Sequence, residues 1–179
     1  MPSKKHYIVT SVTLGLIGAA SAALIGLANL ATRGQIAKNE VEKTNKGIAS
    51  IYGEGATAKS EDQIDTLNIT NKHDLLTYRY IIEKDGVTTG MAFKTSGYND
   101  YGKISLIVGF AETSHDFIGM FVVVNEQTYA STLVEKYINP VNDGSRDIED
   151  TSCGLTFGAK KVKEMIDQAK VVADELWAR

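Results

Sequence analysis

The residues best suited to chemistry lie in one short segment, Asp150-Thr151-Ser152-Cys153-Gly154-Leu155-Thr156. It reads as a loop entering a helix. Gly154 permits a tight or left-handed turn. Thr156 falls near the N-cap of the helix that follows. A helix start offers unpaired N–H groups and the positive end of the macrodipole. A phosphate is stabilised there, and a hydroxyl beside it can be esterified to one. From the residues alone a second reading stays open, in which Thr156 is an ordinary cap and Gly154 an ordinary turn residue.

Other polar groups offer less. Tyr98 and Tyr101 either stack on a flat π-system or pack over a sheet edge. Cys153 is either a thiolate favoured by a helix start or a plain structural cysteine. Glu112, His115 and Asp116 are close in sequence but fall in a hairpin turn, which favours a solvated role. Asp143, Asp147, Glu149 and Asp150 make an acidic loop. With a single cysteine and three scattered histidines, no zinc spacing or internal disulfide is expected. No catalytic cluster and no metal site emerges. A net charge of −3 makes nucleic acid a poor partner.

These residues need elements to position them. Near the N-terminus, Ile8 to Ala31 is about 24 residues without a charge, beyond the ~20 that cross a hydrocarbon core. Gly15, Ala19 and Ala23 give it small-xxx-small spacing. A cleaved signal peptide competes, since Ala20-Ser21-Ala22 resembles a cleavage site. The run stays apolar past that point, which favours an uncleaved anchor. Lys4 and Lys5 place the N-terminus in the cytoplasm by the positive-inside rule, against Arg33, Lys38, Lys43 and Lys46 on the other flank. The expected topology is a single-pass cell-membrane protein with its domain outside the cytoplasm.

Ile36, Val41, Ile48 and Ile51 then mark an amphipathic helix to Tyr52, ended by Gly53-Glu54-Gly55. Residues 56–74 are weakly patterned, with one short strand expected at Thr66–Thr70. Leu75–Glu83 and Val87–Thr95 form a hairpin about Lys84-Asp85-Gly86. Gly97–Gly102 reads as a loop. Ile104–Ala111 and Phe117–Asn125 are apolar strands. Thr132–Tyr137 is a short helix and Asn139–Asp150 a loop. Val162, Met165, Ile166, Ala169, Val172, Ala173 and Leu176 set a closing helix over Gly158–Trp177. The fold class is α+β: a transmembrane helix, then an antiparallel sheet packed with an early and a C-terminal helix. The corresponding divisions are 1–33, membrane anchor; 34–55, connecting helix; 56–179, folded domain.

The 150–156 segment resembles the flavinylation motif of the FMN-binding family that includes the RnfG and NqrC subunits of ion-pumping electron-transfer complexes. The pattern there is Asp, two residues, Ser or Thr, Gly, Ala, then Thr or Ser. Asp150, Cys153, Gly154, Leu155 and Thr156 occupy its positions. The resemblance continues through Gly97-Tyr98 and Tyr101-Gly102, which are similar to the family's glycine-tyrosine loop. Gln127-Thr128-Tyr129-Ala130-Ser131-Thr132 stands where the family has Glu-Thr-Pro-Gly-x-Gly.

The resemblance implies FMN bound covalently to Thr156 as a phosphoester. Its attachment falls to a flavin transferase that uses FAD and magnesium outside the cytoplasm. Asp150, Cys153, Gly154 and Leu155 would form the attachment motif, and Tyr98, Tyr101, Gln127 and Thr128 would frame the flavin. It further implies an electron carrier rather than a stand-alone catalyst, working with the other subunits of a membrane complex. This sequence departs from the pattern at Cys153 and Leu155. It also lacks the glutamate, the proline and both glycines of the second segment. Those departures motivate the alternative: a membrane-anchored, non-flavin protein-interaction module on the same fold.

Overall fold

A computed structural model describes residues 4–179, and the side chains of all but 4–10, 33, 36 and 37 within that range. The flanking charges Lys4, Lys5 and Arg33, and the helix-face residue Ile36, therefore lie outside the described side chains. The chain divides into two compact units, Met1–Glu42 and Lys43–Arg179. Helix α1 (Lys4–Tyr52) supplies the described part of the first unit and the first residues of the second.

In the first unit, Ser11–Thr32 is a 22-residue stretch long and apolar enough to cross a membrane. Leu14, Leu16, Leu24, Ile25, Leu27 and Leu30 are all exposed along it. In water each would forfeit the ~1.5–3 kcal/mol that burying such a side chain supplies. A hydrocarbon surround recovers that stabilisation.

The second unit is α+β, as expected. Its sheet is five-stranded and antiparallel, in the order β1-β2-β3-β4-β5. The strands are β1 (Thr57–Gln63), β2 (Leu76–Lys84), β3 (Val87–Asn99), β4 (Gly102–Ala111) and β5 (Phe117–Asn125). Short helices α2 (Ala130–Leu133) and α3 (Asn139–Asn142) flank a π-helical turn at Val134–Ile138. Helix α4 (Thr156–Trp177) closes the chain.

Side chains on a strand alternate between faces, and both faces here are covered. On one, Ile48 at the end of α1 packs with Tyr80, Ile82, Ala92, Ile107 and Val123. On the other, Met91, Phe93, Leu106, Val108 and Phe110 pack with Val162, Met165, Ile166, Ala169 and Val172 of α4. Burial on both sides explains why β4 reads as an unbroken apolar run.

Tyr52 ties α1 to the sheet centre. Its hydroxyl donates toward the Met91 and Phe110 carbonyls (2.8 and 3.1 Å) and accepts from the Phe110 N–H (3.1 Å). Its ring fits a notch made by two glycines. A Cβ at Gly90 would lie 2.6 Å from Tyr52 Cε1, and one at Gly109 3.1 Å from Cε2. Burial raises the tyrosine pKa well above its usual value.

Five expectations need correction. No strand occupies Thr66–Thr70; instead β1 lies earlier, and Ile64–Thr66 forms a 3-10 turn. Gly97, Tyr98 and Asn99 belong to β3, because pairing with β4 continues to Asn99 opposite Gly102. The short helix begins at Ala130 rather than Thr132, and Asn139–Asn142 is helical rather than loop. The turn holding Glu112 and His115 is not simply solvated. The His115 ring stacks on Trp177 with centroids 3.9 Å apart, and Trp177 Nε1 donates to Glu112 Oε2 at 3.3 Å.

The far end of α4 is locked by Glu175. Its carboxylate accepts from the Thr70 N–H (2.9 Å) and hydroxyl (3.0 Å). It also accepts from the Asn71 N–H (3.1 Å), Asn71 Nδ2 (2.7 Å) and Arg179 Nη2 (2.8 Å). These donors, the Thr70 amide foremost, pull its pKa from an ordinary 4.5 down to about 2. A depressed carboxylate pKa contributes stability above the unfolded value, lost as pH falls through the folded one. Glu175→Gln is therefore expected to be less stable than wild type at neutral pH. Denaturant melts should show that gap shrinking between pH 4.5 and 2; a pH-independent gap would rule this origin out.

Candidate functional site

Thr156 is the first residue of α4, not its cap. The cap is Leu155 (φ −125°, ψ 45°), whose side chain can accept no hydrogen bond, and none caps the helix. The first bond of the turn runs from the Ala159 N–H to the Leu155 carbonyl (3.1 Å). The amides of Thr156, Phe157 and Gly158 thus have no acceptor within the helix. No acidic residue occupies this first turn. The chain reaches the helix through Gly154 at φ +79°, a left-handed conformation that disfavours any side chain.

A cavity of about 250 Å³ opens at this helix start. Gly154, Leu155, Thr156, Phe157 and Gly158 form one wall. Tyr101, Gln127, Tyr129 and Leu133 form the rest. Thr156 is exposed, and so are Phe157, Tyr129 and Tyr101. The Tyr101 and Phe157 rings are 5.9 Å apart and tilted by 45°. Among the described residues, no carboxylate lines the cavity.

Gln127 differs from these rim residues. It is only 8% exposed. Its backbone is satisfied, with the N–H donating to Asn125 Oδ1 (3.2 Å) and the carbonyl accepting from the Ala130 N–H (3.1 Å). Its side-chain Nε2, however, is buried without a hydrogen-bond partner. The carboxamide lies against the first turn of α4: a Cβ at Gly158 would be 2.9 Å from Gln127 Oε1 and 3.0 Å from Leu133 Cδ2.

The β3–β4 turn presents Tyr101. Asn99 Oδ1 accepts from the Tyr101 N–H (2.9 Å), and the Tyr101 carbonyl accepts from the Thr128 N–H (3.1 Å). Gly102 follows at φ +130°, where a Cβ would sit 2.5 Å from the Glu126 carbonyl oxygen. Gly102→Ala is expected to displace this turn and, with it, the Tyr101 wall. Loss of nuclear Overhauser contacts between the Tyr101 and Phe157 rings would report the shift. Unchanged contacts would show that the turn absorbs the methyl.

The structure thus brings together Tyr101, Gln127, Gly154, Leu155 and Thr156 of the residues marked in the sequence. Tyr98, Thr128, Asp150 and Cys153 do not line the cavity. Tyr98 is exposed, with Lys103 Nζ 5.8 Å from its ring centroid. Thr128 contributes its backbone. Cys153 is buried in the core cluster under α4. Asp150 organises the approach loop: Oδ1 accepts from the Ser152 N–H (3.1 Å) and hydroxyl, and Oδ2 from Arg146 Nη1 (2.7 Å). The Ser152 hydrogen bonds, with Arg146 nearby, hold its carboxyl below the usual carboxylate range. Tyr129 falls inside the marked 127–132 segment, whereas Leu133, Phe157 and Gly158 join the site without a mark in the sequence. An aromatic directly after the threonine is the available signal for Phe157.

No protein-family model matches the chain. Two curated relatives do, both named as the G subunit of an ion-translocating oxidoreductase complex, from two strains of Cereibacter sphaeroides. Each is 26% identical over 108 residues, 60% of this chain and 49% of the relative. The chain therefore spans about half the length of the curated relatives it matches.

Proposed function

We propose that this chain is a membrane-anchored, extracytoplasmic electron carrier, an RnfG-like subunit of an ion-translocating oxidoreductase complex, with FMN joined to Thr156 through a phosphoester. What supports this most is the setting of Thr156: an exposed hydroxyl on an uncapped helix start, at the mouth of an aromatic-lined cavity. The similarity to the two oxidoreductase-complex relatives adds to it.

The residues present fit the cofactor. The free amides of α4 and its dipole suit a phosphate. Tyr101, Tyr129 and Phe157 offer faces for a flat ring. Gln127 lines the cavity from within, with its carboxamide against the first turn of α4. The cavity is below the ~300–1,000 Å³ of typical small-molecule sites. It suits a ligand that is partly buried and tethered at the surface, within reach of electron-transfer partners.

FMN, when bound, supplies the electron transfer; the protein supplies position and environment. In the attachment step, the Thr156 oxygen forms a bond to the FMN-side phosphorus of FAD. The pyrophosphate bond breaks, and AMP leaves. A flavin transferase with magnesium would perform this on the face where the domain lies. Co-expression with such a transferase is expected to give a band fluorescent in a denaturing gel, and protease shaving of spheroplasts should digest the domain. A dark band of unmodified mass would return the chain to the interaction-module reading, and a protected domain would overturn the topology.

A further inference from the structure

We propose that Asn142 is an edge plug: its carboxamide takes the place of a further strand beside β5 and keeps that apolar edge from pairing with a second copy of this chain. The inference does not depend on the flavin.

β5 ends the sheet. An edge strand presents unpaired N–H and C=O groups, a template for pairing with another chain. The two edges of this sheet differ. β1, TAKSEDQ, carries Lys59, Glu61 and Asp62, and charges discourage such pairing. β5, FIGMFVVVN, carries no charge and no proline. Its Met120–Val124 stretch combines β-propensity with neutrality, the composition that adds strands readily.

Three features close this edge instead. The first is Asn142. Its Nδ2 donates to the Met120 carbonyl and its Oδ1 accepts from the Met120 N–H, both at 2.8 Å. These are the two bonds that a residue of another antiparallel strand would exchange with Met120. The second is Lys43, whose Nζ donates to the Val123 carbonyl at 3.2 Å. The third is a pair of register irregularities in the β4–β5 pairing, one at Gly109/Phe110 and one at Ser105/Leu106. Such irregularities interrupt a ladder and twist an edge away from a partner. Met120 lies between them, so its N–H and C=O belong to the regular stretch that a new strand would need.

Asn142 is placed for this. It is the last residue of α3, directly after Val141, which is buried in the core. The chain beyond it is tied back onto α3: the Gly144 N–H donates to the Val141 carbonyl (3.3 Å) and the Arg146 N–H to the Pro140 carbonyl (2.9 Å). Asn142 itself is exposed. Replacing it therefore removes the plug without opening the core.

The test uses the full chain in detergent micelles. Hydrogen exchange should find the Met120 amide protected in wild type, despite its place on an edge. Asn142→Ala is expected to speed that exchange by about tenfold, the effect of losing one hydrogen bond. Sedimentation should show the alanine variant associating at concentrations where wild type does not. Ile118 is exposed on the same strand. Adding Ile118→Lys puts a charge on the edge and should restore wild-type sedimentation. Rapid exchange at Met120 in wild type overturns the proposal without any variant, and so decides the matter should the alanine variant not fold. An alanine variant that sediments as wild type does, or association that survives the added lysine, overturns it as well.

Discussion

Thr156→Ala is expected to abolish covalent flavin altogether, while Thr156→Ser retains it. The effect is all-or-none because the ester needs an oxygen at this position. Thr156 is exposed at the cavity mouth, so losing its hydroxyl and methyl removes no core packing. Nor does it remove a cap, since the helix has no side-chain cap. The melting temperature of the alanine variant should therefore stay near wild type, separating lost attachment from lost folding. Neighbouring hydroxyls are poor substitutes. Ser152 is engaged by Asp150, and neither Thr151 nor Ser152 lines the cavity. In-gel fluorescence after co-expression with a flavin transferase reads the result, and an alanine variant that still fluoresces would move the attachment elsewhere.

The second large effect is on stability. Gly90→Ala would put a Cβ 2.2 Å from the Phe110 carbonyl oxygen and 2.6 Å from the Tyr52 ring. The first of these is backbone in the sheet centre and cannot swing away. Overpacking typically costs ~1–3 kcal/mol, and this contact belongs at the upper end or beyond. Tyr52→Phe probes the same notch from the other side. It removes a hydroxyl bonded to Met91 and Phe110, leaving buried backbone groups without that partner at about 1–3 kcal/mol. A Cβ at Gly90 would also lie 3.1 Å from the Tyr52 hydroxyl, so the two changes touch and their costs should not add. Denaturant unfolding of the single and double variants measures this. Additive losses would mean that Tyr52 and Gly90 act separately.

Much of the fold is legible in the residues. The Asp85-Gly86 pair marks the β2–β3 hairpin, and both residues adopt positive φ. The apolar spacing from Val162 to Leu176 marks α4. What escapes a sequence reading has physical causes. β1 is an edge strand whose residues alternate between exposed and half-buried, so TAKSEDQ carries no apolar pattern. The end of β3 contains Gly97 and Asn99, which signal a loop locally, but pairing with β4 overrides them. Pro140 signals a break, yet helical residues continue through it from Ala130 to Asn142, with the π-helical turn at Val134–Ile138 just before it.

The candidate site is legible in part. The motif points to Thr156, and the glycine at 154 does take the expected left-handed turn. The cavity itself depends on contacts between distant segments. Tyr101 from a β-turn, Gln127 after β5 and Leu133 from α2 meet the α4 start only once the sheet has folded. Nothing local in the sequence says that Gln127 is buried with a spare donor, or that Tyr98 lies outside the cavity while Tyr101 lines it. Asp150 and Cys153, close together in the motif, have separate settings: one orders the surface loop and the other is buried in the core.

The most direct measurement is peptide mass spectrometry on the membrane-extracted protein after co-expression with a flavin transferase. The peptide containing Thr156 is expected to carry an FMN adduct, with fragment ions placing it on that threonine. An unmodified peptide, or an adduct on Thr151 or Ser152, would contradict flavin attachment at Thr156.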